Sequence, residues 1–119
     1  MTTHSLEIPY PPSVNSYWGF RGHHRFLTPK AREFNLLVSN IVKLTSCPNF
    51  GEARLEVSIT LFPKDKRIRD IDNSIKSTLD ALCHANVYKD DSYIDVLVVD
   101  RGTIYKGGKA LVTIKTINS

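Results

Sequence analysis

The chain has 119 residues, of which 41% are hydrophobic and 24% charged, and it carries a net charge of +4 at neutral pH. This length fits a single modest core, so we expect one domain over residues 1–119. No stretch approaches the roughly 20 apolar residues of a membrane span, and the amino terminus lacks the pattern of a secretory signal. Cys47 and Cys83 are isolated, which disfavours a disulfide framework or a zinc site. We therefore expect a soluble, cytoplasmic protein without membrane attachment, whose positive charge favours polyanionic partners.

The first half of the chain predicts a strand, an arm, a hairpin and a helix. Leu6–Ile8 is typical of a short strand, and the three prolines of Pro9–Pro12 predict an extended arm, because proline pairs poorly inside a sheet. Residues 13–27 mix aromatic and basic side chains around two glycines, which predicts a hairpin or a mobile loop. Thr28 followed by a proline is typical of a helix start, and the apolar spacing after it predicts a helix over about 29–45.

The second half predicts strands around one more helix. Residues 54–61 alternate strictly between polar and apolar, the period of a half-buried strand. Apolar residues at helical spacing predict a helix over about 72–84. The β-branched runs at 94–99 and 110–116 predict two strands, which we expect to form an antiparallel hairpin. The order of elements predicts an α+β fold, in which a small mixed or antiparallel sheet carries two helices on one face.

An acidic island lies inside this basic chain, because all eight aspartates fall between residues 65 and 100. If residues 69–72 are extended, Asp70 and Asp72 point to the same side and bring two carboxylates within reach of one cation. Mg²⁺ is a hard ion that binds few carboxylates and completes its octahedron with water and phosphate. Lys76 follows Asp72 by four residues, so on a helix it lies on the same face and can reach a scissile phosphate.

A second acidic pair, Asp90-Asp91, lies before the 94–99 strand. It can approach the first pair only if the sheet places the two flanking strands together. A purely structural alternative stays open for each acid: Asp70 or Asp72 as a helix N-cap, and the second pair as an ordinary polar turn. The remaining aspartates are interpreted as surface residues (Asp80, Asp95) or have no assigned role (Asp65, Asp100).

Basic residues surround the first acidic pair. They suit either charge balance at the surface or contacts to DNA phosphates, and they are Lys64, Lys66, Arg67 and Arg69, with Lys76 further along. Earlier in the chain, Tyr17, Trp18 and Phe20 fit either core packing or a stacking surface for unpaired bases. His23-His24 is interpreted as a pair of exposed loop residues, since no third metal ligand accompanies it.

Taken in order, these motifs resemble the RusA family of Holliday junction resolvases over nearly the whole chain. The matching segments are Ile8-Pro-Tyr-Pro-Pro-Ser-Val-Asn15, Arg69-Asp-Ile-Asp-Asn73 with Lys76, Leu79-Asp-Ala-Leu82, Val87-Tyr-Lys-Asp-Asp91 and Lys106-Gly-Gly108. Two positions depart from the family pattern. Ile68 interrupts a run that is often more basic, and Asn86 stands where glycine is common, although asparagine tolerates a left-handed helix end.

The resemblance implies a homodimeric endodeoxyribonuclease that makes paired, symmetric nicks in four-way or otherwise branched DNA during recombination and repair. It implies Mg²⁺ as cofactor, with Mn²⁺ as a substitute, and no organic cofactor. It further implies that Asp70, Asp72 and Asp91 are catalytic, metal-binding carboxylates and that Lys76 is a catalytic lysine facing the phosphate. Asp90 and Asn73 are candidate accessory residues.

Two other functions are compatible with parts of the pattern. A non-catalytic DNA-binding module would use the basic surface while the acids only cap and balance, and metal-dependent cleavage separates it from an enzyme. A phosphohydrolase acting on small nucleotides is disfavoured, because the chain lacks a glycine-rich phosphate loop.

Overall fold

The computed structural model describes residues 2–67 and 69–117, so Ile68 lies outside the described residues. The strands are β1 (Thr3–Ile8), β2 (Trp18–Arg21), β3 (His24–Leu27), β4 (Leu55–Phe62), β5 (Ile94–Arg101) and β6 (Lys109–Thr116). The α-helices are α1 (Val14–Tyr17), α2 (Pro29–Leu44) and α3 (Ile75–His84), and short 3-10 helices cover Ile71–Ser74 and Asp91–Tyr93. The predicted α+β class is confirmed, whereas the short α1 was not predicted. None of the helices formed by the described residues is long and apolar enough to cross a membrane.

Four strands form a mixed sheet in the order β1-β6-β4-β5. β6 runs antiparallel to both of its neighbours, β1 and β4, whereas β5 runs parallel to β4. The predicted antiparallel hairpin of residues 94–99 and 110–116 is therefore wrong. The segment between β5 and β6 crosses the end of β4, where the Gly102 N–H donates a hydrogen bond to the Leu61 carbonyl at 2.8 Å. A β-branched run identifies a strand, but it does not identify the strand's partner.

The sequence β4-α3-β5 is a parallel strand-helix-strand unit, which places the strands that flank both acidic pairs side by side. The two strands run parallel, however, so Asp70 and Asp72 follow the carboxyl end of β4 whereas Asp90 and Asp91 precede the amino end of β5, and the adjacency of the strands does not by itself bring the two acidic pairs together. The loop that carries Asp70 leaves the carboxyl end of β4, a common position for ligand-binding residues in parallel units.

One hydrophobic core joins the sheet to α2 and α3. Alternate residues of β4, from Leu55 to Leu61, are buried as their polar-apolar pattern predicted. Phe34 and Val38 of α2 and Leu82 of α3 belong to the same buried cluster as these strand residues. The two long helices therefore cover the same face of the sheet.

The ends of the helices follow local chemistry. Thr28 caps α2, because its Oγ1 accepts a hydrogen bond from the Ala31 N–H at 3.2 Å, as the Thr-Pro pair predicted. The predicted helix over 72–84 ends correctly at His84, but its first turn is a 3-10 helix, a frequent form at helix ends. After α3, Asn86 adopts φ +64°, the left-handed conformation that asparagine tolerates.

The proline-rich arm packs against the start of α3. Pro11 and Pro12 are buried, and their carbonyls accept hydrogen bonds from the hydroxyls of Ser74 at 3.2 Å and Ser77 at 2.6 Å. The arm thus fixes the segment in which the first acidic pair lies. Beyond it, residues 18–27 form the predicted hairpin, in which β2 pairs with β3.

Candidate active site

Asp70 and Asp72 lie just before α3 and are exposed. Asp70 occupies the N-cap position of the Ile71–Ser74 helix, but its side chain makes no capping hydrogen bond to any residue that the structure describes. The N-cap interpretation therefore does not account for this carboxylate. Asp70 has extended dihedral angles, whereas Asp72 lies within the 3-10 helix, so the condition that residues 69–72 be extended is not met.

Lys76 lies in the first turn of α3 with its side chain 55% exposed. Its Nζ lies 3.1 Å from Asp80 Oδ1 and 3.7 Å from Asp91 Oδ2. The hydrogen bond that Lys76 donates to Asp80, with a smaller contribution from Asp91, raises the pKa of Lys76 above its usual value. Lys76 is therefore a cation at neutral pH, suited to bind a phosphate oxygen rather than to accept a proton.

Asp90 and Asp91 have different surroundings although they are adjacent. Asp90 caps the Asp91–Tyr93 helix by accepting a hydrogen bond from the Ser92 N–H at 3.1 Å, which lowers the pKa of this carboxyl. The polar-turn interpretation thus explains Asp90. Asp91 is half-buried and its carboxylate faces the Lys76 ammonium, so we group Asp91 with Lys76 rather than with Asp90.

Four other aspartates have structural partners of their own. Asp65 binds Arg69 at 2.8 Å, Asp80 binds Lys76, Asp95 pairs with Arg54, and Asp100 accepts from the Thr60 hydroxyl at 2.7 Å. Sequence reasoning placed Asp80 at the surface and missed its pairing with Lys76, although the i,i+4 spacing on α3 carries that signal.

The aspartates left over are Asp70, Asp72 and Asp91. Among residues 2–67 and 69–117, their carboxylates form no cap, and the ion pair of Asp91 with Lys76 is the single charge contact of the three. Carboxylate oxygens are the ligands that hard divalent cations prefer, so the donor chemistry fits Mg²⁺. Within the described residues, however, no group of three His, Cys, Asp or Glu side chains is gathered closely enough to hold a metal ion. The metal-binding and catalytic roles of these residues, and the accessory role of Asn73, stay predictions.

A basic cleft of about 600 Å³ adjoins Asp70. Of the predicted DNA-binding residues, Lys64, Arg67 and Arg69 line this cleft, whereas Lys66 is exposed outside its lining. Asn73 lines it as well, together with Lys30 from α2, which sequence reasoning missed because it lies far away along the chain. Arg69 is held in place from both ends, because its guanidinium binds Asp65 and its carbonyl accepts a hydrogen bond from Arg101.

Comparison with known proteins places this arrangement in context. A family model described as endodeoxyribonuclease RusA matches residues 9–115. A crossover junction endodeoxyribonuclease of Enterobacteria phage HK97 is 33% identical over 119 residues, which is all of this chain and 99% of the relative. Proteins of the same name from Escherichia coli strain K12 and Enterobacteria phage 82 are each 30% identical over 115 residues, which is 96% of this chain and 95% of each relative.

Proposed function

Because the chain belongs to the RusA endodeoxyribonuclease family, we propose that it is a crossover junction endodeoxyribonuclease, which resolves Holliday junctions by paired, symmetric nicks. The observation that carries the proposal is full-length similarity to relatives that bear this name. The structure supports it independently, because Lys76 and the basic cleft beside Asp70 are suited to a DNA backbone.

In the cleavage mechanism that we propose, the phosphates that flank the scissile one are bound by Lys64, Arg67 and Arg69. Lys76, kept protonated by Asp80, lies close to the scissile phosphate and stabilises the negative charge that develops on it. Asp70, Asp72 and Asp91 would hold Mg²⁺, or Mn²⁺ as a substitute, which supplies an activated water and neutralises charge on the phosphate. Because Asp80 contacts Lys76 independently of Asp91, the lysine keeps one anionic partner if Asp91 turns towards a cation.

Cleavage of a labelled synthetic four-way junction tests the proposal. The purified protein is assayed with Mg²⁺ and with EDTA, beside Asp72→Asn and the matched control Asp100→Asn, whose carboxylate contacts Thr60 on the sheet. We expect symmetric paired nicks that need Mg²⁺, vanish in Asp72→Asn and persist in the control. Junction binding without nicking would support a DNA-binding module instead, and stronger competition by mononucleotides than by junction DNA would support a phosphohydrolase.

A symmetric two-cut reaction calls for a homodimer, and the free edge of β5 is suited to form it. β5 lies at the end of the described sheet, and its Val96, Leu97 and Val98 are exposed. Antiparallel pairing of two β5 strands about Val98 would place Asp95 opposite Arg101 and Leu97 opposite Val99. Such a strand edge with apolar side chains is a ready site for pairing with a second copy.

The dimer is tested by sedimentation of the wild type and of Val98→Lys. The substitution places a charge at the proposed two-fold axis, so we expect it to yield monomers. Leu44→Lys, at an exposed position on α2, serves as the control and should leave the mass unchanged. A wild type that sediments as a monomer at the concentrations of the cleavage assay would contradict this interface.

A further inference from the structure

The β2-β3 hairpin presents aromatic and basic side chains to solvent. Residues 18–27 contain Arg21, Arg25, two histidines and no acid. Phe20 is 70% exposed and Phe26 41% exposed. Of the aromatic residues that the sequence left between core packing and stacking, Tyr17 is buried and donates to Asn35 at 3.2 Å, whereas Phe20 lies outside the core. Core packing therefore explains Tyr17 and leaves Phe20 unexplained.

The two faces of the hairpin differ. Phe20 lies opposite Arg25, and Trp18 lies opposite Leu27, so these four side chains share one face. On this face the Arg25 guanidinium lies 3.9 Å from the centre of the Trp18 ring, a cation-π contact that orients the arginine. On the opposite face the Phe26 ring covers Gly19, where an added Cβ would come within 2.5 Å of the ring. The Trp18 ring and the Phe26 ring, at the base of the hairpin, are thus each packed against another residue. The Phe20 ring extends beyond them.

The face of Trp18 and Arg25 opens onto a second cavity, which is separate from the basic cleft and which Lys76 also lines. A cavity of about 500 Å³ is lined by Trp18, Arg25 and Leu27 from the hairpin and by Lys76 and Asp80 from α3. The hairpin and the predicted catalytic lysine therefore border the same space. DNA whose phosphate contacts Lys76 would pass beside this face.

We propose that Phe20 and Arg25 form a binding site for an unstacked nucleobase at the branch point of the DNA, an inference that rests on the proposed function. An exposed aromatic ring offers a stacking surface to any base, and an adjacent guanidinium adds cation-π and phosphate contacts. The absence of carboxylates from residues 18–27 favours a polyanion over an apolar protein partner. Such a site distinguishes a junction, whose central bases unstack easily, from a continuous duplex.

Binding of a four-way junction and of a linear duplex of the same arm sequence, measured in EDTA so that no strand is cut, tests this site. We compare the wild type with Phe20→Ala, Phe20→Trp and Leu44→Ala, the last a control at an exposed apolar position on α2. Phe20→Ala should weaken junction binding by roughly 5- to 150-fold, the range for stacking of one base on an aromatic side chain. Duplex binding should not change, Phe20→Trp should restore the junction preference, and Leu44→Ala should have no effect.

A junction with 5-iodo-deoxyuridine at the branch point provides a second readout. Irradiation should join this base to Phe20, whereas the same base inside a duplex should give no such adduct. A wild type that prefers the junction while Phe20→Ala keeps that preference, or an adduct that maps elsewhere, would overturn the stacking site and leave the proposed function intact. A wild type without any junction preference would overturn both, and loss of dimerisation in Phe20→Ala would assign the hairpin to a protein interface.

Discussion

Replacement of Ser77 by alanine tests whether the proline arm holds the start of α3. Ser77 is fully buried, and its hydroxyl donates to the Pro12 carbonyl at 2.6 Å. Loss of this donor leaves the carbonyl of a buried residue without its partner, which costs about 1–3 kcal/mol. Alanine recovers roughly 0.5 kcal/mol through its higher helix propensity. We therefore expect Ser77→Ala to lower the free energy of unfolding by about 0.5–2.5 kcal/mol.

The corresponding change in melting temperature follows from chain length. An unfolding entropy of about 2.1 cal/mol/K per residue gives roughly 0.25 kcal/mol/K for this chain, so the melting temperature should fall by about 2–10 °C. Circular dichroism melts and urea titrations of both variants measure it. Ser5→Ala is the control, because the Ser5 hydroxyl contacts Thr113 at an exposed position. Equal, small shifts for Ser77→Ala and the control would refute the anchoring role of the arm.

Three further predictions follow from charges and close contacts. Hydrogen bonds from the Ser92 N–H and from Arg54 lower the pKa values of Asp90 and Asp95, so these groups stabilise the fold above the unfolded value of 3.8 and lose that contribution as pH falls through their lower folded values. The urea concentration at the unfolding midpoint should therefore decrease when the pH is lowered below 4, and it should decrease less in Asp95→Asn. An identical pH profile for this variant would contradict the assignment. Gly102→Ala should lower stability by about 1–3 kcal/mol, because its Cβ would lie 2.5 Å from the Phe62 ring, and an unchanged melting curve would show that the ring has room to move. Junction affinity should fall steeply between about 50 and 200 mM salt, and Lys64→Gln should reduce the slope of the log-log plot by about 1, whereas a flat response would exclude the basic cleft as the contact surface.

The elements that sequence predicted correctly depend on interactions within a few residues. The Thr28 cap and Pro29 start α2 through local hydrogen bonds and a fixed dihedral angle. The alternation in β4 follows directly from the two faces of a strand. Asn86 follows the end of α3 in the left-handed conformation, which asparagine itself tolerates. Each of these could be predicted because the physical cause lies in adjacent residues.

The errors concern partners that lie far away along the chain. β5 and β6 were expected to pair, but β6 pairs with β1 and β4. Lys30 joins the basic cleft from α2, at a distance along the chain that no local pattern encodes. The shared orientation of Asp70 and Asp72 depended on an extended segment over residues 69–72, but Asp72 lies in a 3-10 turn, next to which Ser74 and Ser77 pack against the proline arm.

The sequence by itself determined the fold class, the basic and acidic segments and the family, because these depend on composition, period and the order of motifs. The tertiary structure decided which acids have partners of their own: Asp80 and Asp95 bind basic side chains, and Asp90 caps a helix, whereas the catalytic roles of Asp70, Asp72 and Asp91 stay predictions. A carboxylate has the same formula in a cap, an ion pair or a metal site. Its role is set by the groups within about 4 Å of it, and folding alone brings those groups together.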